Sequence, residues 1–181
     1  MEDIENTQVK RLYVSLLNHT DEKTAYDIAC RIKLPKNPSD KKKFEWAEDI
    51  CSKLDNSFDN EKVKQIRMGC CCKPPLDKIK GLKEAYNNSK NLNDYAEKLN
   101  TMNPGASFWC DNGALFISYP VCYCSFVRKT DRLLPVSWCY CTLGHAKYVY
   151  EYVFECELVA KLIESIKTGG TRCVIKISKS C

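Results

Sequence analysis

The stretch SFWCDNGALFISY, residues 107–119, decides how this chain folds. Asp111, Asn112 and Gly113 separate two runs, Ser107 to Cys110 and Ala114 to Tyr119. Asn-Gly tolerates positive φ at both central positions of a tight turn, so the stretch reads as a β-hairpin. It lies just past Asn103, Pro104 and Gly105, where the style of the chain changes. Everything before that break carries a different periodicity.

Upstream, residues 1 to about 100 read as helices. Val9, Leu12, Tyr13, Leu16 and Leu17 recur at helical spacing, and Ala25, Ile28, Ala29 and Ile32 repeat the pattern before Pro35. Ser39 is placed to cap a third helix with Phe44, Ala47, Ile50, Cys51 and Leu54 on one face. Val63, Ile66 and Cys70 mark a fourth. Leu76, Ile79, Leu82 and Tyr86 mark a fifth, begun by Pro74 and Pro75, and Tyr95 and Leu99 a short sixth. Downstream, a third short strand is expected through Tyr123 to Arg128, then a helix from Trp138 to Phe154. Cys156, Leu158, Ala160 and Leu162 alternate with Glu157, Val159, Lys161 and Ile163, and Cys173, Ile175 and Ile177 alternate after Gly169 and Gly170, which predicts a closing hairpin.

The fold class expected is therefore α+β, with N-terminal helices followed by an antiparallel sheet that has a helix packed on one face. Residues 1–181 are read as one domain, with a helical part at 1–102 and a sheet part at 103–181. No internal repeat or low-complexity segment interrupts it.

The apolar fraction of 44% suffices for a buried core. Net charge is +5, from 28 basic and 23 acidic residues, and Lys41, Lys42 and Lys43 form the one compact basic run. A solvated helix face accounts for that run better than a nucleic-acid patch does. No basic stretch interleaved with aromatics offers a stacking platform for single strands. No nucleic-acid partner is expected. Met1 to Lys10 is polar and acidic, unlike a secretory signal, and no apolar run approaches the roughly 20 residues that span a bilayer. The expectation is a cytoplasmic protein with no membrane partner, in which thiols stay reduced and cysteine clusters point to metal or catalysis. The pattern says nothing about oligomeric state.

Thirteen cysteines are the main anomaly, and the odd number forbids complete pairing within one chain. Cys122 and Cys124 form one Cys-x-Cys pair, Cys139 and Cys141 a second, with a segment between them that can turn back. In a strand, cysteines two apart share a face at about 6–7 Å, and in a loop they converge further. Two such pairs can present four thiolates to zinc or an iron–sulfur cluster. Reduced thiols packed as small apolar groups, or redox disulfides, are the alternatives. Cys70, Cys71 and Cys72 are adjacent at a predicted helix end, with Arg67 and Lys73 near enough to favour a thiolate. One of the three is a candidate nucleophile, and Cys71 and Cys72 are candidate further ligands. A buried thiol beside exposed ones is the plainer account.

His145, four residues after Cys141, would share its helix face. Asp131 and Glu151 are the acids near the cysteine segment, where ion pairing explains them better than catalysis does. There is no phosphate-binding glycine loop, nucleophile-elbow serine or metalloprotease motif. Phe108, Trp109, Trp138, Tyr140 and Tyr148 are candidates to line a pocket or to pack a core.

Cys139 to Gly144, Tyr150 to Phe154, and Glu164 to Ile177 together resemble the 4-vinyl reductase domain and a segment of the L-2-amino-thiazoline-4-carboxylic acid hydrolase superfamily. The family pattern is a strand, a Cys, a Gly-rich turn, a second Cys and a closing strand. Cys173 matches the second Cys, and Ser165 stands where the first is expected. From Gly69 to Ile177 the chain is also similar to an uncharacterised cysteine-rich bacterial family. The resemblance implies a compact α+β fold around an internal ligand cavity, in relatives that include small-molecule sensors, pigment-pathway proteins and a hydrolase. Fold relationship does not fix function.

The function expected is a metal- or cluster-containing domain that binds a small molecule, with Cys122, Cys124, Cys139 and Cys141 as metal ligands and Cys71 and Cys72 beside them. A small-molecule hydrolase using a cysteine thiolate or an open metal site is a second expectation, and a thiol redox or metal-handling protein a third.

Overall fold

The computed structural model describes residues 4–180. Six helices come first: α1 (Thr7–Leu17), α2 (Glu22–Ala29), α3 (Asp40–Ser57), α4 (Asn60–Gly69), α5 (Leu76–Asn87) and α6 (Leu92–Met102). Their starts follow local chemistry. Asn6, Asp21, Ser39, Asp59 and Asn91 each accept a first-turn backbone N–H, which satisfies donors the helix itself leaves free. Pro75 opens α5, where its missing N–H costs nothing.

The sheet follows as β1 (Ser107–Asp111), β2 (Ala114–Tyr119), β3 (Leu158–Glu164) and β4 (Cys173–Lys179), with α7 (Val136–Phe154) inserted between β2 and β3. Strand order is β1-β2-β4-β3, antiparallel throughout. Asn112 and Gly113 take φ values of 48° and 72°, the left-handed region that the hairpin turn demands. The α+β reading holds, and α7 is the helix that lies on one sheet face, against β3 and β4.

Two differences from expectation concern the connections. The segment Tyr123 to Arg128 is not a strand. Val127 and Arg128 both donate to the Cys124 carbonyl, so the chain curls into turns instead of joining the sheet. The turn between β3 and β4 is longer than a Gly-Gly hairpin. A single 3-10 turn, Ile166–Thr168, precedes Gly169 at φ 95°.

The buried side chains form two clusters. One is built by α1 to α4 and includes Leu12, Trp46, Ile50, Leu54 and Ile66. The other joins α6, the sheet and the middle of α7 through Leu99, Ile117, Ile175, Leu143 and Val153. Trp138, in the first turn of α7, belongs to the first cluster, so one helix serves both. At Gly144, α7 crosses α4 so closely that a Cβ would fall within 2.7 Å of the Met68 carbonyl carbon. Gly144 is required by that approach. The basic run at Lys41 to Lys43 opens α3 and pairs locally, Lys43 with Asp40 at 2.9 Å and Lys41 with Glu45 at 3.9 Å. Among the described residues, no helix is long and apolar enough to cross a membrane.

Candidate functional site

A cavity of about 300 Å³ opens where the two clusters meet. The first three turns of α7 contribute Trp138, Cys139, Cys141, Thr142 and His145. The loop after β2 contributes Cys122, Cys124 and Phe126, and the sheet adds Tyr119, Leu162 and Ile175. Cys72 comes from the segment after α4, Ser165 and Lys167 from the β3–β4 connection, and Cys173 from the start of β4.

Six cysteines thus line the cavity: Cys72, Cys122, Cys124, Cys139, Cys141 and Cys173. Five of them were singled out in the sequence. Cys71 is not among them. It is 6% exposed and packs away from the cavity, because three adjacent residues at a helix end cannot face one way. Cys173 drew attention through a strand pattern and as the second Cys of the family pattern, and Lys167 drew none.

The twelve described cysteines are free thiols, and Cys181 lies outside the described residues. Half of the described ones line the cavity. Among the described residues, no three His, Cys, Asp or Glu side chains gather as a metal site. The reason is helical geometry. Cys139 and Cys141 sit on α7, where a separation of two residues turns the side chains about 200° apart. The strand or loop geometry that would bring such a pair together is therefore absent at 139 and 141. Cys139 Sγ lies 3.2 Å from Ser165 Oγ, while the Cys141 thiol donates to the Trp138 carbonyl at 3.7 Å. The donors do not fit the closed four-thiolate zinc or iron–sulfur centre expected on Cys122, Cys124, Cys139 and Cys141.

Desolvation raises three of the cavity thiols. It pushes Cys139 up to about 11, against the Ser165 hydrogen bond, and Cys141 up to about 12, against the opposing charge of Arg67. Cys122 is raised for the same reason, and Cys71, off the cavity, is pushed up to about 11.

Cys72 differs, being exposed at the mouth. Arg11 Nη1 donates to its sulfur at 2.9 Å, and the His145 ring pairs through Nδ1 with the Cys72 carbonyl at 2.7 Å. The shared helix face foreseen for Cys141 and His145 does place both on the cavity, but His145 is engaged with backbone. Of the aromatics foreseen as pocket residues, only Trp138 lines it, together with Tyr119, Tyr123 and Phe126, which the sequence did not single out. Phe108 is in the second core, with Tyr140 and Tyr148 packed against that core. Trp109 stacks on Phe116, with ring centroids 5.2 Å apart. Glu151 is an ion-paired acid, 2.6 Å from Lys147 Nζ, and accepts the Leu158 N–H at the start of β3.

The fold and this cavity define an α+β domain with a thiol-lined, mostly apolar pocket at the seam of two cores. A family model described as "Family of unknown function (DUF6144)" matches residues 1–180, and the chain belongs to that family. No curated protein matches it. Among solved structures, it is similar to the H-NOX domain from Shewanella oneidensis in the Fe(II)CO ligation state, at 11% identity and a TM-score of 0.43, with 97% of this chain and 98% of that chain covered. It is similar also to an H-NOX protein from S. oneidensis in the Fe(II)NO ligation state, at 10% identity and a TM-score of 0.44, with 97% and 99% covered. Likeness at that level establishes no shared ligand.

These findings overturn the resemblance to the 4-vinyl reductase domain and the L-2-amino-thiazoline-4-carboxylic acid hydrolase superfamily. The family whose model spans residues 1–180 is another one. A Gly-rich turn and a Cys between two strands form a short pattern, and here its first Cys is Ser165.

Proposed function

We propose that this chain is a small-molecule-binding domain and that the ligand enters the cavity between α7, the β2–α7 loop and the β3–β4 connection. The observation that carries the reading is the convergence of four separate chain segments on one mostly apolar space edged by a few polar groups, which is how small-molecule sites are built. Cysteine acts there mainly as a compact, polarisable wall, which suits a flat or soft ligand. The test is a fragment screen on the full chain, followed through the indole N–H resonance of Trp138. Binding should shift that resonance, and Thr142→Trp, which fills the cavity from α7, should abolish the effect while circular dichroism stays unchanged. If fragments bind equally well to Thr142→Trp, the ligand site lies elsewhere.

One observation favours a second reading, a thiolate enzyme acting on a small molecule. Cys72 is exposed at the cavity mouth, with a guanidinium donating to its sulfur. Such a donor stabilises a thiolate when it forms. Iodoacetamide should then label Cys72 at least tenfold faster than Cys139 or Cys141, and Arg11→Met should slow it. Uniform labelling of all three would remove this reading.

A further inference from the structure

Among the described residues, those that line the cavity include a lysine and no Asp or Glu. Lys167 lines it and is 3% exposed, its ammonium held by the carbonyls of Thr130 and, at 3.4 Å, Arg132. Directly behind the wall, Arg67 is 0% exposed. Its guanidinium donates to the Ser137 carbonyl at 3.3 Å, the Trp138 carbonyl at 2.8 Å and Cys70 Sγ at 3.3 Å, and it lies 4.5 Å from the Trp138 ring centre. Among the described residues, neither cation has a carboxylate within 4 Å. Asp55, which reaches Ser137 Oγ at 3.1 Å, stays on the exposed side.

Two further features have the same sign. Trp138 Nε1 is buried with no hydrogen-bond partner, in a side chain that lines the cavity and is 2% exposed. The first turn of α7 lies on the wall, and Pro135 leaves its amides without a side-chain cap, so the positive end of a 19-residue helix adds to the field. Backbone carbonyls and an aromatic face solvate a cation only in part, and two buried cations without counter-charge are unfavourable. Cys141 does not supply that charge, because its bond to the Trp138 carbonyl requires the protonated thiol.

We propose that the ligand is a small organic anion, a monocarboxylate with an apolar body, whose charged end meets Lys167 and the Trp138 indole N–H. The apolar body would lie against Tyr119, Phe126 and Ile175. The inference rests on the small-molecule reading of this cavity and specifies the class of ligand.

Two acid–amide pairs test it: benzoate with benzamide, and 1-naphthoate with 1-naphthamide. Each pair shares a shape and differs in charge. The full chain is titrated by NMR, with the Trp138 indole resonance assigned through Trp138→Phe. At least one acid should bind tenfold or more tighter than its amide and move that resonance downfield. Lys167→Met should erase the preference and Lys167→Arg should keep it. The wild-type comparison decides even if Lys167→Met does not fold. Equal affinity within both pairs overturns the anion inference and leaves the cavity as a neutral-ligand site. No binding of any of the four overturns the inference together with the small-molecule reading.

Discussion

The two cores of this protein are built from similar residues and bury very different things. The helical core of α1 to α4 encloses a guanidinium and the thiols of Cys30, Cys51 and Cys70. The core between sheet and α7 encloses aliphatic side chains and a packed aromatic group, Tyr86, Tyr95, Tyr150 and Phe154, with centroid separations of 4.7 to 5.9 Å. The second core is an ordinary device for holding a helix on a sheet. The first one holds a charge beside the cavity, and the cavity opens on the side where α7 passes from one core to the other. Burying a cation beside a pocket costs stability, and the proposed anionic ligand would offset part of that cost.

The comparison breaks most readily at Gly144. A Cβ there would meet Met68 backbone within 2.7 and 2.8 Å, and backbone cannot step aside as a side chain can. Gly144→Ala should therefore exceed the usual ~1–3 kcal/mol of overpacking and approach the whole ~5–15 kcal/mol stability of a domain. Because α7 serves both cores, we propose that residues 1–181 fold as one unit. Urea melts of the wild type followed at the tryptophans and by circular dichroism should coincide. Two separated transitions would make the cores independent domains.

Cavity-forming changes compare the cores directly. Leu54→Ala in the helical core and Leu99→Ala in the sheet core remove side chains that are both fully buried. Each should cost about 2–5 kcal/mol by denaturant titration. A much smaller loss for Leu54→Ala would show that the helical core relaxes around its charge.

Alkaline pH sharpens the comparison further. Desolvation raises Cys51, Cys70, Cys71, Cys139 and Cys141 above their ordinary value of 9.0. A folded chain that keeps protons the unfolded chain releases is stabilised below that value and loses this stability as pH rises past it. Stability should be level up to about pH 9 and fall progressively toward pH 11–12, and Cys141→Ala should flatten the decline. A flat profile over that range would mean the thiols are hydrated.

The smallest effects are at the caps. Ser39→Ala in α3 and Asn91→Ala in α6 each remove an acceptor for a first-turn N–H, at 3.3 and 3.0 Å. Each should lower stability by ~1 kcal/mol in thermal melts. A larger loss at Ser39 would mean that α3, and the helical core with it, depends on its first turn.

Element types were legible because they are local. Ser39 before the apolar face of α3, Pro75 before α5, and Asn112-Gly113 between two strands act through bonds within four residues, so the sequence contains both partners. The site was legible only in composition. Five of its cysteines could be chosen because cysteine is rare and their spacing unusual. Spacing did not decide the geometry, since whether Cys139 and Cys141 face together depends on the secondary structure that carries them, and both lie on α7. Tyr119, Phe126 and Lys167 gave no signal, being an ordinary aromatic, an ordinary aromatic and an ordinary lysine until the chain folds.

By itself, then, the sequence determined the helices, the hairpins, the α+β class and the wealth of thiols, all properties of neighbouring residues. Tertiary structure decided that six of those thiols line one cavity, that α7 is shared by two cores, and that Arg67 and Lys167, among the described residues, have no carboxylate within 4 Å. Those outcomes depend on contacts between residues far apart in the sequence, 71 positions for Arg67 and Trp138 and 73 for Cys72 and His145. Packing alone determines which distant side chains meet, and thereby which charges water leaves behind.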